Sequence, residues 1–179
     1  MAEAPAIPDV LVTLANLGRP RRPSGVRALV TEPVLPDVAG ATEQLSGLAV
    51  GPVTVADLPA LRELQAFAAE AAVEILARGM PDPAPLNALA SDSRARLRLV
   101  DIGGALRQEL LWQDESSAAQ LARGLIAELA SLDSTRLRRC ARPQCPLLFY
   151  DTTRSRTQRW HAEDPCGWRE RDHARRAKT

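Results

Sequence analysis

Aromatic side chains are scarce in this sequence of 179 residues, which holds two Phe, one Tyr and three Trp. Leu, Val and Ala must therefore fill the interior, and a 45% hydrophobic content suffices for one or two compact domains. Lysine is nearly absent: Lys178 stands alone, so the basic charge is arginine. No run of about 18 uncharged apolar residues occurs, which excludes a membrane-spanning helix. The segment MAEAPAIPDV has no cationic stretch ahead of an apolar one, which reads against a secretory leader and predicts a cytoplasmic protein. Three cysteines, an odd number, argue against a disulfide framework. The two histidines, His161 and His173, both lie near the C-terminal end, so residues 1–133 contain no His-based dyad. G-x-G-x-x-G, P-loop, G-x-S-x-G and H-E-x-x-H motifs are all missing, and the reading is of a protein that is not an enzyme.

Charge divides the chain. Residues 134–179 carry 12 Lys and Arg against five acids, a net of about +7. Residues 1–133 carry 11 against 17, about −6. All three cysteines and both histidines fall in the basic part. This predicts two modules, a body over 1–133 and a finger over 134–179. The basic end suits a polyanion, or is a solvated arginine-rich face in a high-arginine proteome.

The body reads as α+β. Residues 9–17, DVLVTLANL, predict a strand. A short helix is expected near 41–48. Leu58, Leu61, Leu64, Ala68, Ala71, Ala72, Ile75 and Leu76 recur at three- and four-residue steps, predicting a helix over 58–78. Asp57 would cap it and Gly79 end it. A short helix near 86–90 is expected next. Residues 94–100 alternate Arg with Ala or Leu, predicting a half-buried strand. Gly103 and Gly104 then turn the chain into a second strand over 105–112. Arg94, Arg96 and Arg98 form either an anion site or a solvated strand face. Asp114 would cap a second strong helix over 115–132, with Leu121, Leu125, Leu129 and Leu132 on one stripe.

The chemistry sits at 136–178. Cys140, Cys145, His161 and Cys166 are spaced Cys-x4-Cys-x15-His-x4-Cys. Two close ligand pairs separated by a loop are what tetrahedral zinc requires, and Pro143 favours a turn inside the first pair. Four filled positions would make the site structural. About 45 residues bury too little to fold alone, so Zn²⁺ would supply the folding free energy. Three ordinary buried thiols beside an unrelated His is the other reading of the spacing.

The stretch RLRRCARPQCPLLFYDTTRSRTQRWHAEDPCGWRERDHARR resembles the CGNR zinc finger. That finger follows an N-terminal ABATE domain in a family of stress-induced transcriptional regulators. Cys140, Cys145, Phe149, Asp151, Arg154, Trp160, Cys166, Gly167 and Arg169 match the family pattern. Two positions depart from it: His161 replaces the third cysteine, and Trp168 replaces the Asn of the name motif. His161 keeps a zinc ligand and lowers the site's negative charge by one; His173 is the substitute ligand if His161 fails. Trp168 is expected to pack on the finger's own small core. The first strand with Asn16, the long helix, the Asn87 helix, the hairpin and the last helix follow an order similar to ABATE.

Asp164 and Pro165 are expected to start a helix running to about Ala177, with Cys166 in its first turn. Arg169, His173 and Arg176 would share one face, and Arg171, Arg175 and Lys178 the other. With Arg154, Arg156 and Arg159 from the preceding loop, these are natural phosphate partners. Taken with the resemblance, the sequence predicts a transcription regulator. Arg154, Arg156, Arg159, Arg169, Arg171, Arg175 and Arg176 would contact DNA, and the body would sense a small-molecule or protein signal or form a homodimer. The competing reading is a zinc-dependent protein-interaction or RNA-binding module.

Overall fold

A computed structural model describes residues 8–21, 30–91, 93–113 and 116–177. It is α+β: a helical body with one long hairpin, followed by a small finger that ends in a helix. The body contains α1 (Asp9–Asn16), α2 (Val38–Gln44), α3 (Leu58–Leu76) and α4 (Ala84–Leu89). The antiparallel strands β1 (Ala95–Ile102) and β2 (Ala105–Trp112) follow, then α5 (Ser117–Ser131). The finger contains the short antiparallel pair β3 (Leu137–Arg139) and β4 (Leu148–Tyr150), then α6 (Trp168–Arg176).

Helix α3 is the axis of the core. Leu61, Leu64, Ala68, Ala71, Ala72 and Ile75 are buried along one stripe, the spacing its sequence predicts. Leu121, Ala122 and Leu125 of α5 pack against it, as do Leu11, Leu14 and Ala15 of α1. Each fully buried leucine is worth roughly 1.5–3 kcal/mol of transfer free energy.

Residues 9–17, expected as a strand, form α1 instead. The β-branched residues favoured an extended reading, but tertiary context overrides that weak preference. Leu11, Leu14 and Ala15 fall on one helical face and are buried. Both carboxylate oxygens of Glu128, on α5, accept the N–H groups of Val10 and Leu11 at 2.8 Å. A carboxylate from 117 residues away thus satisfies donors that a local cap would otherwise serve. Burial pushes the Glu128 pKa up, against the pull of these backbone N–H groups.

The expected caps also change. Asp57 makes no capping bond to α3. Its carboxylate closes the preceding turn, accepting the N–H and hydroxyl of Thr54 at 2.8 and 2.7 Å. Arg78, rather than Gly79, takes the left-handed conformation (φ 63°) after α3, and the Gly79 N–H reaches back to Glu74. Ser116 caps α5, accepting from Ala119 N–H at 3.0 Å; Asp114 and Glu115, the expected cap and first residue, lie outside the described residues.

Strands β1 and β2 pair as the alternation predicts, around Gly103 and Gly104, whose φ values of 63° and 81° suit a two-residue hairpin turn. The hairpin is not half-buried, however. Nearly every residue of both strands is exposed, leucines included. The sequence shows an apolar face, but the described residues do not cover it.

Finger and body share one core across the expected boundary at 133/134. Leu137 and Leu148 are buried in the same cluster as the helices. The Asn16 amide pairs with the backbone of β4 in both directions, donating to Leu148 O at 2.9 Å and accepting from Leu148 N at 2.8 Å. Arg19 adds a bond to Pro146 O at 3.3 Å. Replacing Asn16 by Leu should leave both Leu148 backbone groups unpaired and cost about 1–3 kcal/mol in urea unfolding. Zinc content of the folded protein should stay the same.

Candidate metal centre and nucleic-acid interface

The first two ligands are placed by the β3–β4 hairpin. Cys140 directly follows β3, and its N–H donates to Leu147 O at 2.9 Å, extending the ladder by one rung. A tight turn through Pro143 closes with Cys145 N–H on Arg142 O at 2.9 Å. The second pair is tied to the first by Ala141 N–H on Arg159 O at 2.8 Å. Cys166 sits in an irregular turn, Glu163–Gly167, that leads into α6.

This framework brings the ligand atoms of Cys140, Cys145, His161 and Cys166 within 4.8 Å of one another. The Cys145 sulfur lies 3.4 Å from Nδ1 of His161. Ligand atoms around tetrahedral zinc stand roughly 3.5–3.8 Å apart, given Zn–S of about 2.3 Å and Zn–N of about 2.0–2.1 Å. The donor set therefore fits the ion, and the four residues form a zinc-binding site. Cys140 and Cys166 are buried; Cys145 and His161 are half-buried beside a cleft of 210 Å³ that Arg142 and Pro165 also line.

Electrostatics argue the same way. Burial pushes the Cys145 thiol up to about 12, and the neighbouring Cys140 and Cys166 push in the same direction. Burial likewise raises Cys166 and lowers His161. The Cys145 and Cys166 thiols therefore give up their protons only when a cation displaces them, while His161 already presents the neutral ring a metal needs. Three thiolates and Zn²⁺ leave a net −1. Arg142, mostly buried and paired with Glu170 at 3.5 Å, pulls the Cys166 thiol the other way, against its burial. His173 is exposed on α6 and lies outside the cluster.

Two further features hold the finger. Asp151 is fully buried. Its carboxylate accepts Thr153 N–H (3.0 Å), the Thr153 hydroxyl (2.5 Å) and Gln158 N–H (3.0 Å). Burial alone would raise its pKa, but these bonds and the Arg138 charge together hold it below the usual carboxylate range. Arg136 cross-ties the same turn through the carbonyls of Asp151 and Thr153, both at 2.9 Å. Gly167 marks a close approach: a Cβ there would lie 3.0 Å from the Trp160 ring and against the Glu163 carboxylate.

Two expectations need correction. Asp164 makes no capping bond, although its extended backbone (φ −103°, ψ 126°) breaks the helical run and Cys166 lies in the helical turn Glu163–Gly167 that continues into α6. Trp168 is 52% exposed and does not pack on the finger core; Trp160 holds that place, half-buried between the cations of Arg159 and Arg171 at 5.2 and 5.6 Å. Lys178 lies outside the described residues.

The seven arginines expected to meet phosphate have different surroundings. Arg154, Arg156, Arg159, Arg171, Arg175 and Arg176 are exposed, whereas Arg169 is half-buried. Arg159 and Arg171 converge on Trp160 from the loop and from α6. Several pair with acids: Arg156 with Asp133 at 3.0 Å, Arg171 with Glu163, and Arg176 with Asp172 at 2.9 Å. The sequence pointed to Asn16 only through the ABATE-like order, and it did not point to Glu128 or Arg142. Each works through a partner distant in sequence or through bond geometry, and neither leaves a pattern in composition or spacing.

Purified protein should contain one zinc per chain by metal analysis. Cys145→Ser should lower that to well under one equivalent and release the finger, while the helical signal of the body persists in circular dichroism.

Residues 136–179 match the family model of the CGNR zinc finger. No curated protein matches the chain. The finger at the C-terminal end of this protein is thus similar to the CGNR zinc finger, with His161 as its one imidazole ligand.

Proposed function

We propose that this protein is a DNA-binding transcription regulator whose finger holds the duplex and whose body receives a signal or brings chains together. The zinc site stiffens the finger without contacting nucleic acid. Its exposed arginines supply the contacts, as the CGNR resemblance implies. No enzymatic role and a cytoplasmic location belong to the same reading.

The observation that carries the reading is the surface state of the finger's arginines. Arg154, Arg156, Arg159, Arg171, Arg175 and Arg176 point into solvent around one small metal-braced unit. Surface ion pairs such as Arg176 with Asp172 are worth only about 0–1 kcal/mol. A phosphate oxygen can displace such a carboxylate at little cost, and each such contact releases condensed counterions. The acidic body repels the duplex, which confines contact to the finger.

Exposed Trp168 favours a second reading. An indole standing in solvent on a basic helix is a stacking platform for an unpaired base, as in single-stranded nucleic acid binding.

Duplex binding should weaken with a log K against log salt slope of roughly −4 to −5, from four to six phosphate contacts at about −0.9 each. Arg154→Ala with Arg175→Ala should flatten that slope by up to about two. Arg94→Ala in the body should leave it unchanged. A flat slope would favour the protein-interaction role. Tighter binding of single-stranded RNA than of duplex DNA, lost in Trp168→Ala, would favour the stacking role.

A further inference from the structure

The β1–β2 hairpin has two unlike faces. Its register puts Ala95, Leu97, Leu99 and Asp101 on one face, with Leu106, Gln108, Leu110 and Trp112 opposite them. The other face mixes Arg96, Arg98, Arg107 and Glu109 with Val100, Ile102, Ala105 and Leu111, and Arg98 and Glu109 are joined at 2.6 Å. The apolar face is open: Leu97 is 64% exposed, Leu99 67%, Leu106 71%, Leu110 49% and Trp112 44%. Asp101 is the only charge on it, and that carboxylate is occupied at the tip, accepting Gly104 N–H at 2.8 Å.

A two-stranded ribbon with nothing on its apolar face is marginal in water. The base of this one is fixed to the body, since Arg123 of α5 stacks on Trp112 at 4.4 Å. The arm is thus anchored at its base, and beyond the Arg123 guanidinium over Trp112 its apolar face lacks a cover among the described residues.

We propose that the cover is the same face of a second copy of this chain, the two hairpins packed face to face about a two-fold axis. Area supports this occupant. Five large side chains exposed to this degree offer roughly 500–600 Å² per chain, so pairing buries about 1,000–1,200 Å² in total, the range where a specific interface begins. Charge selects the mode. Stacking the other faces would set six arginines against two glutamates. Stacking the apolar faces directs the arginines outward, with the paired sheets about 10 Å apart. The apolar face carries a single carboxylate, Asp101 at its tip, so a self-contact there opposes far less like charge than the arginine face would.

Sedimentation velocity on the intact zinc-loaded protein at micromolar concentration tests this. The mass should be twice the 19.4 kDa of one chain. Leu99→Lys with Leu106→Lys should raise the dimer dissociation constant by at least about 100-fold, because lysines would meet their images across the axis. Both positions are exposed, so circular dichroism and zinc content should match the parent. Arg96→Glu with Arg107→Glu, on the opposite face, should remain dimeric. A monomeric parent protein overturns the proposal and assigns the face to a different partner. A dimer that survives the two lysines, or that the Arg variant loses equally, overturns it as well.

Discussion

Three cysteine sulfurs and an imidazole nitrogen crowd one point in the finger, and a cation makes that crowding favourable. Burial and the neighbouring sulfurs push the Cys145 and Cys166 thiols up, so the metal-free cluster offers little to keep four chain segments together. With Zn²⁺ bound, the Pro143 turn, the strand-like link from Ala141 to Arg159 and the irregular turn at Cys166 become one unit. The start of α6 and the seat of Trp160 follow from the position of Cys166. Asp151 fixes the loop between the ligand pairs by hydrogen bonding, so the finger has one ionic and one hydrogen-bonded centre.

That unit does not hang from the body by a linker. Leu137 and Leu148 enter the helical core, and Asn16 behaves as a one-residue strand against β4. Helix α1 is held in turn by the Glu128 carboxylate of α5. A mechanical line therefore runs from the metal through β4 to α1 and α5. A displacement of α1 or α5 would thus reach the finger, and α5 also carries the Arg123 contact at the base of the hairpin.

The sequence disclosed what depends on pattern. Ligand spacing located the metal centre, helical periodicity located α3 and α5, and two adjacent glycines located the hairpin turn. It concealed what depends on distant partners. The segment 9–17 has strand-forming residues and is a helix because Glu128 and the core make it one. Alternation in 95–102 signalled two faces, yet it cannot tell whether a second layer exists to cover one of them. Trp168 and Trp160 are eight residues apart and alike in composition; only the close approach at Gly167 decides which ring is seated. Asp57 and Asp164 both stand where helix caps belong, and their side chains do not cap those helices.

The claim beneath all of this is that the metal braces the finger and, through β4, the first helix. Amide hydrogen exchange before and after complete removal of zinc by a chelator tests it most directly. Protection should collapse at Cys140, Ala141, Cys145 and Asp151, fall at Leu148 and along α1, and persist in the middle of α3. Unchanged protection at Cys140 and Ala141 in fully zinc-free protein would contradict the account.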